Sequence, residues 1–160
     1  MQLLDSEQIG KKIQRLAIEI LERNYGESEL ILLGVNANGL AFAQLLQEAI
    51  SAQSAPAPRL GNVRLNPSDP LGSTITIDLP AQELTGKCLI LCDDVANTGR
   101  TLFFAMRPLM DILAKKIEVA VLVDRNHKSF PIQPDYYGLA LATTLQENIA
   151  VRMGEGAFLE

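Results

Sequence analysis

Three stretches of this chain are apolar from end to end: "LILLGV" (Leu30–Val35), "CLILC" (Cys88–Cys92) and "VAVLV" (Val119–Val123). A strand with one face in water alternates polar and apolar residues. A run with no polar member suits a strand covered on both faces, the position strands occupy in a parallel sheet. Each run is separated from the next by chain with helical spacing or turn residues. Helices that alternate with doubly buried strands through right-handed crossovers give an α/β domain. The expectation is a single-domain, Rossmann-like α/β fold over residues 1–160, with a mostly parallel sheet flanked by helices.

The remaining segments fit that frame. Asp5 or Ser6 caps a first helix, with Gln8 completing a capping box to Asp5. Ile9, Ile13, Leu16, Ala17, Ile20 and Leu21 form its apolar stripe, and Gly26 is a natural stop. "NANG" (Asn36–Gly39) turns the chain into a second helix, "LAFAQLLQEAI". "SAQSAPAP" (Ser51–Pro58) reads as a surface connection. "LGNVRLN" and "STITIDL" alternate as half-exposed strands, with the breaker-rich "PSDPLG" between them. "TLFFAMRPLMDIL" reads as a helix that Pro108 kinks or restarts. "YYGLALA" and "NIAVRM" read as late, shorter strands.

In a sheet of this kind ligands bind beyond the carboxyl ends of the strands. Three loops meet that edge: "NANG", "DDVANTGRT" and "DRNHK". The second is the most informative. An apolar strand runs into Asp93 and Asp94, then into Asn97, Thr98, Gly99, Arg100 and Thr101, and then into a helix. Free backbone N–H groups at such a junction hold a phosphate. Gly99 permits close approach, and the threonine hydroxyls donate further bonds. The spacing is not that of the nucleoside triphosphate P-loop. Two carboxylates beside a phosphate cradle suit a ligand that carries hydroxyls next to its phosphate, as ribose 5-phosphate does. Asp93 and Asp94 then accept bonds from the 2′- and 3′-hydroxyls. The alternative is that these two acids only cap the following helix.

"LILCDDVANTGRTL" resembles the ribose-phosphate signature of the type I phosphoribosyltransferases. "AIEILERN", "LVDRNHKSFPIQPDYYG" and "TTLQENIAV", in that order, resemble one subgroup, the pyrimidine-operon attenuation regulators that are also uracil phosphoribosyltransferases. The resemblance implies transfer of 5-phosphoribose from phosphoribosyl pyrophosphate to a nucleobase, uracil favoured, with Mg2+ as cofactor and pyrophosphate as leaving group. It implies that Asp93 and Asp94 hold the ribose, one assisting as a base. Ala96, Asn97, Thr98, Gly99, Arg100 and Thr101 hold the 5′-phosphate, while Asn36, Ala37, Asn38 and Gly39 form the pyrophosphate loop. It also implies a homodimer or tetramer.

The chain departs from that family at two places. Asn36, Ala37 and Asn38 carry no charge where a basic residue is usual, and a lost charge-assisted hydrogen bond is worth roughly 1.5–3 kcal/mol. The lid "LNPSDPLGST" is short, with Asp69 near the usual place of an arginine. The competing expectation is therefore a catalytically weak or inactive regulator that binds a nucleoside monophosphate. Asp124 and Arg125 form either a local ion pair or an edge of the site. His127 reads as a surface residue, and being the only histidine it excludes a multi-histidine metal centre.

Gln133, Leu139, Leu145 and Asn148 stand where basic residues are typical of the family, and Ile18 replaces a histidine. Together with 14 basic against 19 acidic residues, a net charge of −5, this disfavours RNA as a partner. No run reaches the roughly 18 apolar residues that cross a bilayer. The N-terminus lacks a secretory pattern, so a cytoplasmic protein with no membrane contact is expected. Cys88 and Cys92 lie about 13 Å apart along one strand face, too far to pair.

Overall fold

The computed structural model describes residues 1–142 and 147–160; Leu145 lies outside them. The elements run β1 (Gln2–Asp5), α1 (Ser6–Arg23), β2 (Leu30–Val35), α2 (Asn36–Ser51), β3 (Arg59–Arg64), β4 (Thr76–Ile77), α3 (Ala81–Leu84), β5 (Cys88–Ala96), α4 (Arg100–Ala105), a 3-10 turn (Arg107–Asp111), β6 (Lys116–Arg125), β7 (Tyr136–Leu141), β8 (Ile149–Arg152) and β9 (Gly156–Leu159). The main sheet has the order β4-β3-β2-β5-β6-β7. Its neighbours are parallel except for the β3–β4 pair. A second, antiparallel sheet has the order β1-β9-β8.

The apolar runs are buried for the reason their composition suggests. Leu30, Leu32, Cys88, Ile90 and Cys92 face the core under α1 and α2, whereas Ile31, Leu33, Leu89 and Leu91 face the core under α4 and the 3-10 turn. Successive residues thus enter opposite cores, and neither face has room for a polar side chain. Each fully buried leucine or isoleucine contributes roughly 1.5–3 kcal/mol by leaving water. Both cysteines are free and buried, and they belong to the same core.

The capping box at Asp5 and Gln8 is present, with bonds of 2.8 and 2.9 Å. The helix ends before the glycine: Asn24 is its C-cap, and Gly26 follows with φ 84°. Two arginines of α1 reach the outer edge of the sheet. Arg15 donates to the Gly138 carbonyl at 3.1 Å and Arg23 to the Asp135 carbonyl at 3.2 Å. Carbonyls of the edge strand β7 and its approach are thereby covered, which removes a template for a foreign strand.

Three readings need correction. "NANG" is not a separate turn, because Asn36 reverses the chain alone with φ 53° and α2 begins at that residue. Asparagine tolerates this left-handed conformation better than most residues. The strand before the acids does not stop at Cys92. β5 continues through Asp93 and Asp94 to Ala96, with Asp93, Val95 and Ala96 paired with Val121, Val123 and Asp124 of β6. Pro108 restarts the segment as expected, here as a 3-10 turn, and leaves α4 six residues long. "NIAVRM" supplies β8 as read, at the edge of the second sheet beside β9; β1 and β9, of four residues each, were not read as strands. Of "STITIDL" only Thr76 and Ile77 are strand.

Candidate active site

The strand order reverses between β2 and β5, since β2 leads outward to β3 whereas β5 leads to β6 on the other side. Helices leave opposite faces there and open a crevice. The structure brings the ends of β2 and β5 together in it. A cavity of about 390 Å3 is lined by Asn36, Ala37 and Asn38, by Asp93, Asp94, Asn97 and Thr101, and by Pro67 and Ile149. Residues from the first two predicted loops therefore share one space.

α2 reaches β5 only because residue 39 is glycine. A Cβ there would stand 2.6 Å from the Cys92 carbonyl oxygen and 3.3 Å from Asp93 Oδ1. The first turn of α2 consequently lies against the acids. Its leading N–H groups have no partner within the helix.

The two acids differ. Asp93 is 8% exposed and Asp94 half-buried. The Asp93 Oδ1 accepts from the Asp94 N–H at 2.9 Å, and the Asp94 Oδ1 from the Val95 N–H at 2.9 Å. Each carboxylate is oriented by the backbone just after it. Burial pushes the Asp93 carboxyl well above the usual carboxylate range, and the neighbouring Asp94 charge adds to the shift. Burial likewise raises the Cys92 thiol and leaves it inert.

After Ala96, the last residue of β5, the chain folds into a small hollow of about 60 Å3 lined by Val95 through Leu102. Gly99 has φ 83°, a conformation that other side chains rarely adopt, and it starts α4. The hollow is braced by the segment that follows β6. The N–H groups of Ser129 and Phe130 donate to the Thr98 carbonyl at 3.0 and 3.1 Å. Lys128 Nζ reaches the Ala96 carbonyl at 3.3 Å, pairs with Asp124 at 2.5 Å and also donates to the Arg125 carbonyl.

Asp124 takes Lys128, and Arg125 Nη1 donates to the Glu147 carbonyl at 2.6 Å, two residues before Ile149. His127 is exposed, as are Gln133 and Asn148. Arg100 also departs from simple expectation. Its N–H donates to Thr98 Oγ1, and its guanidinium donates to the carbonyls of Pro67 and Ser68 at 3.2 Å each. The arginine ties the β3–β4 loop to the head of α4. Pro67 lies in the short lid and Ile149 in the "TTLQENIAV" stretch, but neither was read as a site residue. Proximity brings them to the cavity.

Two carboxylates fit a divalent cation that arrives with phosphates of its own. No group of three or more His, Cys, Asp or Glu side chains that could hold a metal unaided occurs among the described residues. Magnesium commonly binds through one or two carboxylates plus substrate phosphates. No helix of the described residues is long and apolar enough to cross a membrane.

The phosphoribosyl transferase domain family matches residues 1–153. Bifunctional protein PyrR of Halalkalibacterium halodurans is 37% identical over 162 aligned positions, which cover 96% of this chain and 90% of that protein. Bifunctional protein PyrR of Haemophilus ducreyi is 36% identical, with 94% and 88% covered. A solved hypoxanthine-guanine phosphoribosyltransferase of Bacillus anthracis has a TM-score of 0.76 at 22% identity, with 93% of this chain and 84% of that chain covered. That likeness concerns the fold.

Proposed function

This chain belongs to the phosphoribosyl transferase domain family, and from that membership we propose that it transfers 5-phosphoribose from phosphoribosyl pyrophosphate to uracil. The observation that carries the proposal is the single cavity in which Asp93 and Asp94, the Asn36–Asn38 turn and the start of the phosphate hollow meet. A ring nitrogen of the base attacks the anomeric carbon, the bond from that carbon to pyrophosphate breaks, and the nitrogen loses its proton. Such a reaction passes through an oxocarbenium-like state, so it depends on charge stabilisation and placement more than on a strong nucleophile in the protein.

Asp93 and Asp94 accept the ribose hydroxyls in this reading. A buried carboxyl with a raised proton affinity suits Asp93 to taking up a proton at the ribose or the base. Residues Ala96, Asn97, Thr98, Gly99, Arg100 and Thr101 hold the 5′-phosphate, through backbone N–H groups and the two threonine hydroxyls. Ala37, Asn38 and Gly39 offer N–H groups to pyrophosphate. Mg2+ would be held by Asp94 or Asp93 together with substrate oxygens, where it neutralises charge on the leaving group. Ile149, supplied by the second sheet, closes the cavity beside the sugar. Residues 1–160 act as one domain, and resemblance to the family supports a cytoplasmic homodimer or tetramer.

Uracil is preferred on the strength of identity: the matched relatives at 36–37% are bifunctional PyrR proteins, whereas the purine enzyme stands at 22%. A second reading, a nucleotide-binding regulator with little turnover, is favoured by the uncharged Asn36–Gly39 turn. The net charge of −5 speaks against RNA as its partner. Replacing Asp93 and Asp94 together by asparagine separates the readings. The variant loses pyrophosphate release by about two to four decades if the acids act in the reaction. Unchanged turnover would remove them from the site.

A further inference from the structure

The turn that opens α2 is held from outside the cavity. Asn62, on β3, is 6% exposed. Its Nδ2 donates to the Gly34 carbonyl at 2.9 Å and to the Asn36 carbonyl at 3.0 Å. Its Oδ1 accepts from Arg64 Nε at 2.9 Å, and its backbone N–H donates to Asp78 Oδ1 at 2.7 Å. Two acceptors at one end and a donor at the other allow one orientation of the amide.

The Asn36 side chain is itself engaged, its Oδ1 accepting from the Leu65 N–H at 3.0 Å. Because residue 36 reverses the chain at φ 53°, the carbonyls of residues 34 and 36 converge on one point. Two converging carbonyls repel unless a group with two donors stands between them. A terminal amide supplies both donors with no net charge. Aspartate has the shape but not the donors, and alanine leaves both carbonyls short of a partner.

We propose that Asn62 is a positioning residue for the pyrophosphate end of the site. Its two donated bonds hold Asn36 left-handed and so set where the N–H groups of Ala37 and Asn38 stand relative to Asp93 and Asp94. The proposal rests on the reading of that turn as the pyrophosphate site. It explains how a turn without a basic residue can keep a fixed array of donors: the order comes from a buried amide on the neighbouring strand.

The test compares two ligands by calorimetry with Mg2+ present: inorganic pyrophosphate, and ribose 5-phosphate, which engages the other end of the cavity. Asn62→Ala is expected to weaken pyrophosphate about tenfold or more and to leave ribose 5-phosphate within about twofold. Asn62→Asp, which keeps the shape and the bond from Arg64, serves as a second variant and should do the same. In an Asn36→Gly background the loss from Asn62→Ala should shrink to under about threefold, because glycine adopts the left-handed conformation unaided. A folded variant that binds pyrophosphate like the parent, or that loses both ligands equally, overturns the proposal. A parent protein that binds ribose 5-phosphate but not pyrophosphate overturns the reading of the turn itself, and this proposal with it.

Discussion

Two glycine-to-alanine changes should act in opposite directions, and the structure sets both. At Gly39 the new methyl carbon would stand 2.6 Å from the Cys92 carbonyl oxygen. Carbon and oxygen settle at about 3.3 Å or more, so α2 and β5 must separate by about 0.7 Å. The obstacle is backbone at the centre of the sheet, and no side chain can swing aside. Overpacking of this kind destabilises by about 1–3 kcal/mol. The displacement falls between the Asn36–Asn38 turn and the two acids, where an error near 1 Å lowers a rate by up to about a hundredfold. At Gly10, on the exposed face of α1, a Cβ meets nothing within 4 Å. Alanine there should stabilise by about 0.5–1 kcal/mol, because glycine loses more backbone freedom in a helix. Thermal denaturation should show Gly10→Ala a few degrees above the parent and Gly39→Ala several degrees below it. Turnover should be unchanged in the first and reduced tenfold to about a hundredfold in the second. A Gly39→Ala protein with parental melting temperature and rate would refute the reasoning.

The buried acid should show the opposed demands of stability and function. Asp93 holds its proton more tightly folded than unfolded, so wild-type stability falls as pH rises from the ordinary carboxylate range toward the raised value. Asp93→Asn, always neutral, should be more stable than the parent at pH 7 by about 1 kcal/mol and should lose that advantage near pH 4. Denaturant titrations at several pH values check this. Arg100→Ala removes two bonds to the β3–β4 loop, and because the residue is exposed, stability should change by less than about 1 kcal/mol. Cleavage of residues 65–75 by a protease should nevertheless quicken. Lys128→Met leaves Asp124, 9% exposed, without its cation and should destabilise by about 2–3 kcal/mol, measurable by urea unfolding.

The doubly buried strands were legible because their neighbours forbid polar residues on either face; Leu30–Val35 and Cys88–Cys92 have no other plausible use. The strand-to-helix junction after β5 was legible for a related reason. Gly99 and the flanking threonines form a local turn pattern that does not depend on distant chain. Asn62 and Arg100 were not legible in the same way. Their roles depend on which strands become neighbours and on the path of the β3–β4 loop, and neither is encoded within a few residues. β1 and β9 escaped notice because such four-residue strands form only by pairing with distant chain, β9 lying between β1 and β8. "NANG" was misread because a single left-handed asparagine did the work of a whole turn.

The most direct measurement is pyrophosphate release from phosphoribosyl pyrophosphate with Mg2+, with uracil, hypoxanthine, guanine, xanthine and orotate supplied in parallel. Release that depends on uracil, and that disappears when Asp93 and Asp94 are both asparagine, is the predicted result. No release with any base, from protein that still binds uridine monophosphate, would contradict it and would leave the crevice as a nucleotide-binding site without transfer chemistry.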